Sequence, residues 1–103
     1  MIPRELCDDS WLAEWCQRWS VREVSLFGSV LRPDFMPDSD LDILVDFIPG
    51  ARRTLFDLVA MKEELEARVH RKVDLLTRNA VEHNENWIRR RAILERLERI
   101  YAA

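Results

Sequence analysis

Asp40 and Asp42 alternate with Leu41, Ile43, Val45 and Phe47 at the two-residue period of a β-strand, so the two carboxylates share one face and the apolar residues the other. Like charges held side by side repel, and a folded chain keeps such a pair ionised mainly when a divalent cation sits between them. Mg²⁺ suits the pair, because it takes oxygen ligands and completes its shell with water and substrate phosphates. Asp46 has the same parity but lies roughly 13 Å beyond Asp42 at strand rise, too far to join it. A third carboxylate comes in Lys72-Val73-Asp74-Leu75-Leu76, where Val73 and Leu75 share one face of a second strand pattern and Asp74 takes the other.

Upstream, the strand-like run Val24-Ser25-Leu26-Phe27 meets Gly28, the first of 2 glycines in the chain, and then Ser29. A glycine at such a corner lets a phosphate approach the main chain, and Ser29 offers both an amide and a hydroxyl donor. Arg32, three residues on, lies over the same seat if the chain makes a helical turn there. Three aspartates on two strands beside a phosphate seat are the minimum for two-metal phosphoryl or nucleotidyl transfer, in which the cations clamp the attacking and leaving oxygens.

Gly28-Ser29, ten intervening residues, Asp40-Leu41-Asp42 and a later Asp74 resemble the signature of the DNA polymerase beta-like nucleotidyltransferases. In its brevity the chain is similar to the minimal nucleotidyltransferases that serve as antitoxins to HEPN-domain toxins. Many relatives carry Gly-Ser-Arg-Ala-Arg-Gly, whereas this chain reads Gly28-Ser29-Val30-Leu31-Arg32-Pro33: Arg32 matches the second arginine and Val30 replaces the first. The resemblance implies transfer of AMP from ATP, with two Mg²⁺ ions, to a tyrosine hydroxyl of a HEPN ribonuclease toxin. Asp40 and Asp42 are then expected to hold both metals. Asp74 is expected to hold the catalytic metal and to orient or deprotonate the acceptor, while Gly28, Ser29 and Arg32 hold the β- and γ-phosphates.

The elements that must position these residues follow from periodicity. Asp9 or Ser10 caps an expected helix to about Arg18, with Trp11, Leu12, Trp15, Cys16 and Trp19 as its apolar stripe. That spacing favours core packing over a base-stacking role for the tryptophans. From Val30 to Ser39, Pro33, Pro37, Asp34 and Asp38 predict a short helical turn and a loop. Thr54 and Asp57 make a capping box for a helix through about Val69, with Leu55, Leu58, Met61, Leu65 and Val69 buried. Arg78 to Asn86 reads as a turn or short helix, and Trp87 to Ala103 as a final helix led by Arg89-Arg90-Arg91, a solvated face or a contact for anions or a partner. His70 and His83 read as surface residues. Cys7 and Cys16, roughly 13 Å apart if both are helical, read as reduced thiols.

With 103 residues, 48% of them hydrophobic, one domain over residues 1–103 with one modest core is expected. The formal net charge of −3 argues against binding of long nucleic acid. No apolar run reaches the ~18 residues of a spanning helix, and the N-terminus has no signal-peptide core, so a cytoplasmic protein is expected. The element order predicts an α+β fold, a small mixed β-sheet with helices packed mainly on one face and the carboxylate face open. Three functions compete: an adenylyltransferase antitoxin, a non-catalytic antitoxin that neutralises by binding alone, and a transferase acting on RNA ends, which the acidic net charge and small size disfavour. Three like charges on one face favour the enzyme, since a scaffold gains nothing from them.

Overall fold

The computed structural model describes Leu6, residues 10–28 and residues 40–102. Cys7, Asp9 and the turn and loop expected from Val30 to Ser39 lie outside the described residues. The first helix, α1, spans Trp11–Trp19, and the hydroxyl of Ser10 meets Glu14 Oε1 at 3.4 Å instead of capping a backbone N–H. Leu12, Trp15 and Cys16 are buried, and Trp11 and Trp19 pack at the margin of the same core. Truncating a buried ring of this kind costs about 3–5 kcal/mol, so the helix is held chiefly by these contacts. The tryptophans are core residues, as their spacing predicts.

β1 (Val21–Phe27) and β2 (Leu41–Phe47) pair antiparallel, while β2 and β3 (Val73–Thr77) pair in parallel. A parallel pair needs a crossover, and α2 (Leu55–Val69) supplies it. The capping box forms as expected: Thr54 Oγ1 accepts from the Asp57 amide at 3.1 Å, and Asp57 Oδ2 accepts from the Thr54 amide at 3.0 Å. Met61, Leu65 and Val69 are buried and Leu58 packs beside them, but Leu55 is 80% exposed. It lies one turn before the helix meets the core.

The sheet order is β3-β2-β1-β4, a mixed sheet with the two longer helices on one face. Val24 and Leu26 of β1, Leu41, Ile43 and Val45 of β2 and Val73 of β3 meet α1 and α2 there. A bulge between Val21 and Glu23 turns Val21 to the same side. On the opposite face Phe27 and Leu44 pack with Val81 of α3 (Arg78–Glu82) and Ile93 of α4 (Trp87–Leu94), a smaller second cluster. The carboxylate face is therefore walled along one side and open elsewhere.

The C-terminal segment differs from the single helix expected for Trp87 to Ala103. α4 ends at Leu94, and Glu98–Ala102 form β4, antiparallel to β1. Ile93, Leu94, Leu97, Ile100 and Tyr101 keep the helical spacing and no glycine or proline marks a stop, so local preference for a helix competes here with a strand. The outer edge of β1 decides between them, because its unpaired amides and carbonyls gain a ladder from a strand and nothing from a helix. Ile100 and Tyr101 then pack against the main core. Among the described residues no helix is long and apolar enough to cross a membrane.

Candidate functional site

The site is assembled where β1 ends and β2 and β3 begin, on the face away from α1 and α2. Gly28 follows β1 with φ +76°, a left-handed conformation that L side chains rarely adopt. A Cβ there would also stand 3.1 Å from Asp42 Cγ and closer still to its Oδ2. Glycine is thus required twice at this corner, by backbone angle and by the carboxylate pressed against it.

Asp42 and Asp74 are partners across the parallel pair β2–β3, which sets them on neighbouring strands about 4.8 Å apart. Asp42 is half-buried and Asp74 exposed. Asp40 is exposed at the residue before β2, roughly 7 Å from Asp42 at strand rise. Asp46 lies on the same face and is bound to the Arg22 guanidinium, whose pKa this hydrogen bond raises. That pairing gives Asp46 a separate structural role. Ser29 and Arg32 lie outside the described residues.

Asp42, Asp74, Phe27 and Gly28 form one side of a cleft of about 1010 Å³. α4 and the turn after it form the other, with Trp87, Ile88, Arg89, Arg91, Glu95 and Arg96. Asn86 starts α4 by accepting from the Arg89 amide at 3.2 Å, and buried Ile93 fastens the helix to the sheet. Arg91 Nε donates to Glu95 Oε1 at 2.7 Å, and this bond raises the arginine's pKa. Neither histidine lines the cleft; His83 Nδ1 lies 2.7 Å from the Asn79 carbonyl.

The sequence singled out the sheet side of this cleft and left the arginine run undecided. It gave no sign that Trp87 and Arg96 line the cleft with the aspartates, since that depends on α4 stopping at Leu94 and packing on the sheet through Ile93.

Among the described residues no three carboxylate, imidazole or thiol groups stand together as a ready metal cage. The donor set still fits Mg²⁺, which is commonly held by one or two carboxylates with waters and substrate phosphates making up the octahedron. Two carboxylates on adjacent strands, with a glycine giving close access beside them, offer that partial shell.

Residues 9–100 match the family described as the nucleotidyltransferase domain. The chain belongs to this family. A candidate protein adenylyltransferase from Methanocaldococcus jannaschii is 44% identical over 61 residues, 59% of this chain and 63% of its own length. The protein adenylyltransferase MntA of Thermococcus cleftensis is 40% identical over 67 residues, 63% of this chain and 64% of its own. The chain therefore spans a little under two thirds of these relatives. Among solved structures, a candidate minimal nucleotidyltransferase is 33% identical with TM-score 0.63, covering 87% of this chain and 84% of its own. A toxin–antitoxin structure containing AMP-PNP superposes with TM-score 0.68 at 14% identity, covering 89% of this chain and 71% of its own, a likeness of fold.

Proposed function

We propose that the protein is a Mg²⁺-dependent adenylyltransferase that acts as an antitoxin, moving AMP from ATP to a tyrosine hydroxyl of a helical HEPN toxin. The observation that carries this reading is the pairing of Asp42 with Asp74 across β2–β3, with Gly28 against the Asp42 carboxylate at the edge of an open cleft. The names of the relatives support the same chemistry.

In the proposed reaction the acceptor oxygen bonds to the α-phosphorus of ATP as the bond to the bridging oxygen breaks, and pyrophosphate leaves. Bound Mg²⁺ ions supply charge stabilisation for the attacking and leaving oxygens. Asp40 and Asp42 would hold both ions, and Asp74, beside Asp42 across β2–β3, would help hold the catalytic one and orient or deprotonate the acceptor. Gly28, Ser29 and Arg32 seat the β- and γ-phosphates. The acceptor must be held in line within about 3.5 Å of the phosphorus, and a hydroxyl presented on a folded partner meets that need. An AMP group added beside the toxin's ribonuclease site blocks RNA by charge and bulk.

Binding alone is the second reading, favoured by Trp87 and Ile88, which are 58% and 64% exposed beside the cleft and could be covered by a partner. Co-expression with a HEPN toxin followed by intact-mass measurement separates the two. Added AMP on the toxin, absent with Asp42→Asn, is the expected result. A tight complex without mass change, neutralised equally well by Asp42→Asn, rejects the enzyme.

A further inference from the structure

The cleft is divided by charge. Asp42 and Asp74 lie on the sheet side; Arg89, Arg91 and Arg96 come from α4 and the turn that follows it. Arg91 is engaged by Glu95, whereas among the described residues neither Arg89 nor Arg96 has a carboxylate partner for its guanidinium. Two such arginines facing two aspartates across a cleft suit a ligand that is itself divided, with cation-bridged oxygens at one end and bare anionic oxygens at the other. A metal-bound nucleoside triphosphate has this form, because the ions cover only some of its phosphate oxygens.

Trp87 adds the second half of the fit. It lines the same cleft from the first turn of α4 and is 58% exposed, unlike Trp15, which is 1% exposed in the core. An indole left in a cleft that holds aspartates and arginines offers a face on which a purine can stack. The cleft's 1010 Å³ lies at the upper end of the roughly 300–1,000 Å³ typical of small-molecule sites, so a nucleotide fits with space left for an acceptor.

We infer that α4 is the outer wall of the nucleotide site, with Arg89 and Arg96 holding the polyphosphate and Trp87 stacking on the base. The inference rests on the reading that a nucleoside triphosphate is the substrate. It assigns residues that the aspartate motif does not contain, and it makes the orientation of the nucleotide depend on where α4 ends. The arginines act on affinity for the β- and γ-phosphates, while the tryptophan acts on every nucleotide that carries a purine.

Calorimetric titration of the whole chain with ATP and with AMP in Mg²⁺ tests it. The Arg89→Ala, Arg96→Ala double variant should weaken ATP binding by about 10-fold or more, and AMP binding much less, since each charged hydrogen bond to phosphate contributes on the order of a tenfold change in affinity. Lysine at both positions should recover part of the loss. Trp87→Ala should weaken ATP and AMP alike by about 5-fold or more, with Trp87→Phe close to wild type. Unchanged melting temperatures would confirm that the variants fold. An unchanged ratio of ATP to AMP affinity in the double variant overturns the inference, as does retained ATP affinity with lost toxin binding. In either case AMP transfer by the wild type leaves the adenylyltransferase reading standing. Arginine-dependent ATP binding without transfer rejects that reading and keeps the inference; no ATP binding by the wild type rejects both.

Discussion

At the scale of single residues, the proposed chemistry depends on Asp42, Asp74 and the absence of a side chain at Gly28. Asp42→Asn or Asp74→Asn should each lower AMP transfer by on the order of 10³-fold in a labelled-ATP assay, because a neutral amide no longer holds a divalent cation. Thermal melts without Mg²⁺ should show unchanged or slightly higher stability, since a repulsive pair is relieved; an unfolded variant would make the aspartates structural. Gly28→Ala should do both kinds of damage, straining a backbone at φ +76° and displacing the Asp42 carboxylate, with a lower melting temperature and lost transfer as the readouts. Cys16 shows the opposite use of burial. Desolvation pushes its thiol up to about 12 from 9.0, so the folded state favours the protonated form. Its contribution to stability is complete below pH ~9 and is lost as pH rises through about 12. Peptide mapping after iodoacetamide at pH 8 should find Cys16 unmodified in the folded protein and modified in urea.

At the scale of elements, the stability of β1 depends on the strand that follows α4. Truncation after Leu97 removes β4 and bares the outer edge of β1, together with the core margin that Ile100 and Tyr101 cover. The truncated chain should melt lower, with a broader transition by circular dichroism, and should self-associate on gel filtration; a monomer with wild-type stability would show that β4 is dispensable. The capping box on α2 was legible in Thr54 and Asp57 because it is a contact between residues three apart. β4 was not legible, because its strand form is set by an edge more than seventy residues earlier in the chain. Leu55 was misplaced for a related reason: its helical phase is right, but the first turn of α2 extends past the core it would have entered.

At the scale of the whole molecule, any nucleotide that binds only the folded chain is linked to its stability. ATP with Mg²⁺ at about 100 times its Kd should add about 2.7 kcal/mol to stability, raising the melting temperature by several degrees. The rise should vanish in Asp42→Asn. An equal rise in that variant would place the nucleotide away from the cleft. The same cleft brings β1, β2, β3 and α4 together, so denaturant that loosens α4 should weaken ATP binding before the main core unfolds.

The sequence by itself determined which groups stand on the sheet side: strand alternation put Asp42 and Asp74 on the face away from the core, and a glycine marked the corner beside them. These are local facts, because side-chain parity and turn conformation are set within a few residues. The mixed sheet and its crossover helix were also legible, since α2 carries its own cap and stripe. Tertiary structure alone decided the register that makes Asp42 and Asp74 neighbours, the end of α4 at Leu94 and the presence of Arg89, Arg96 and Trp87 opposite the carboxylates. Each depends on pairing or packing between segments distant in sequence, where the free energy of burial and of strand ladders outweighs local preference.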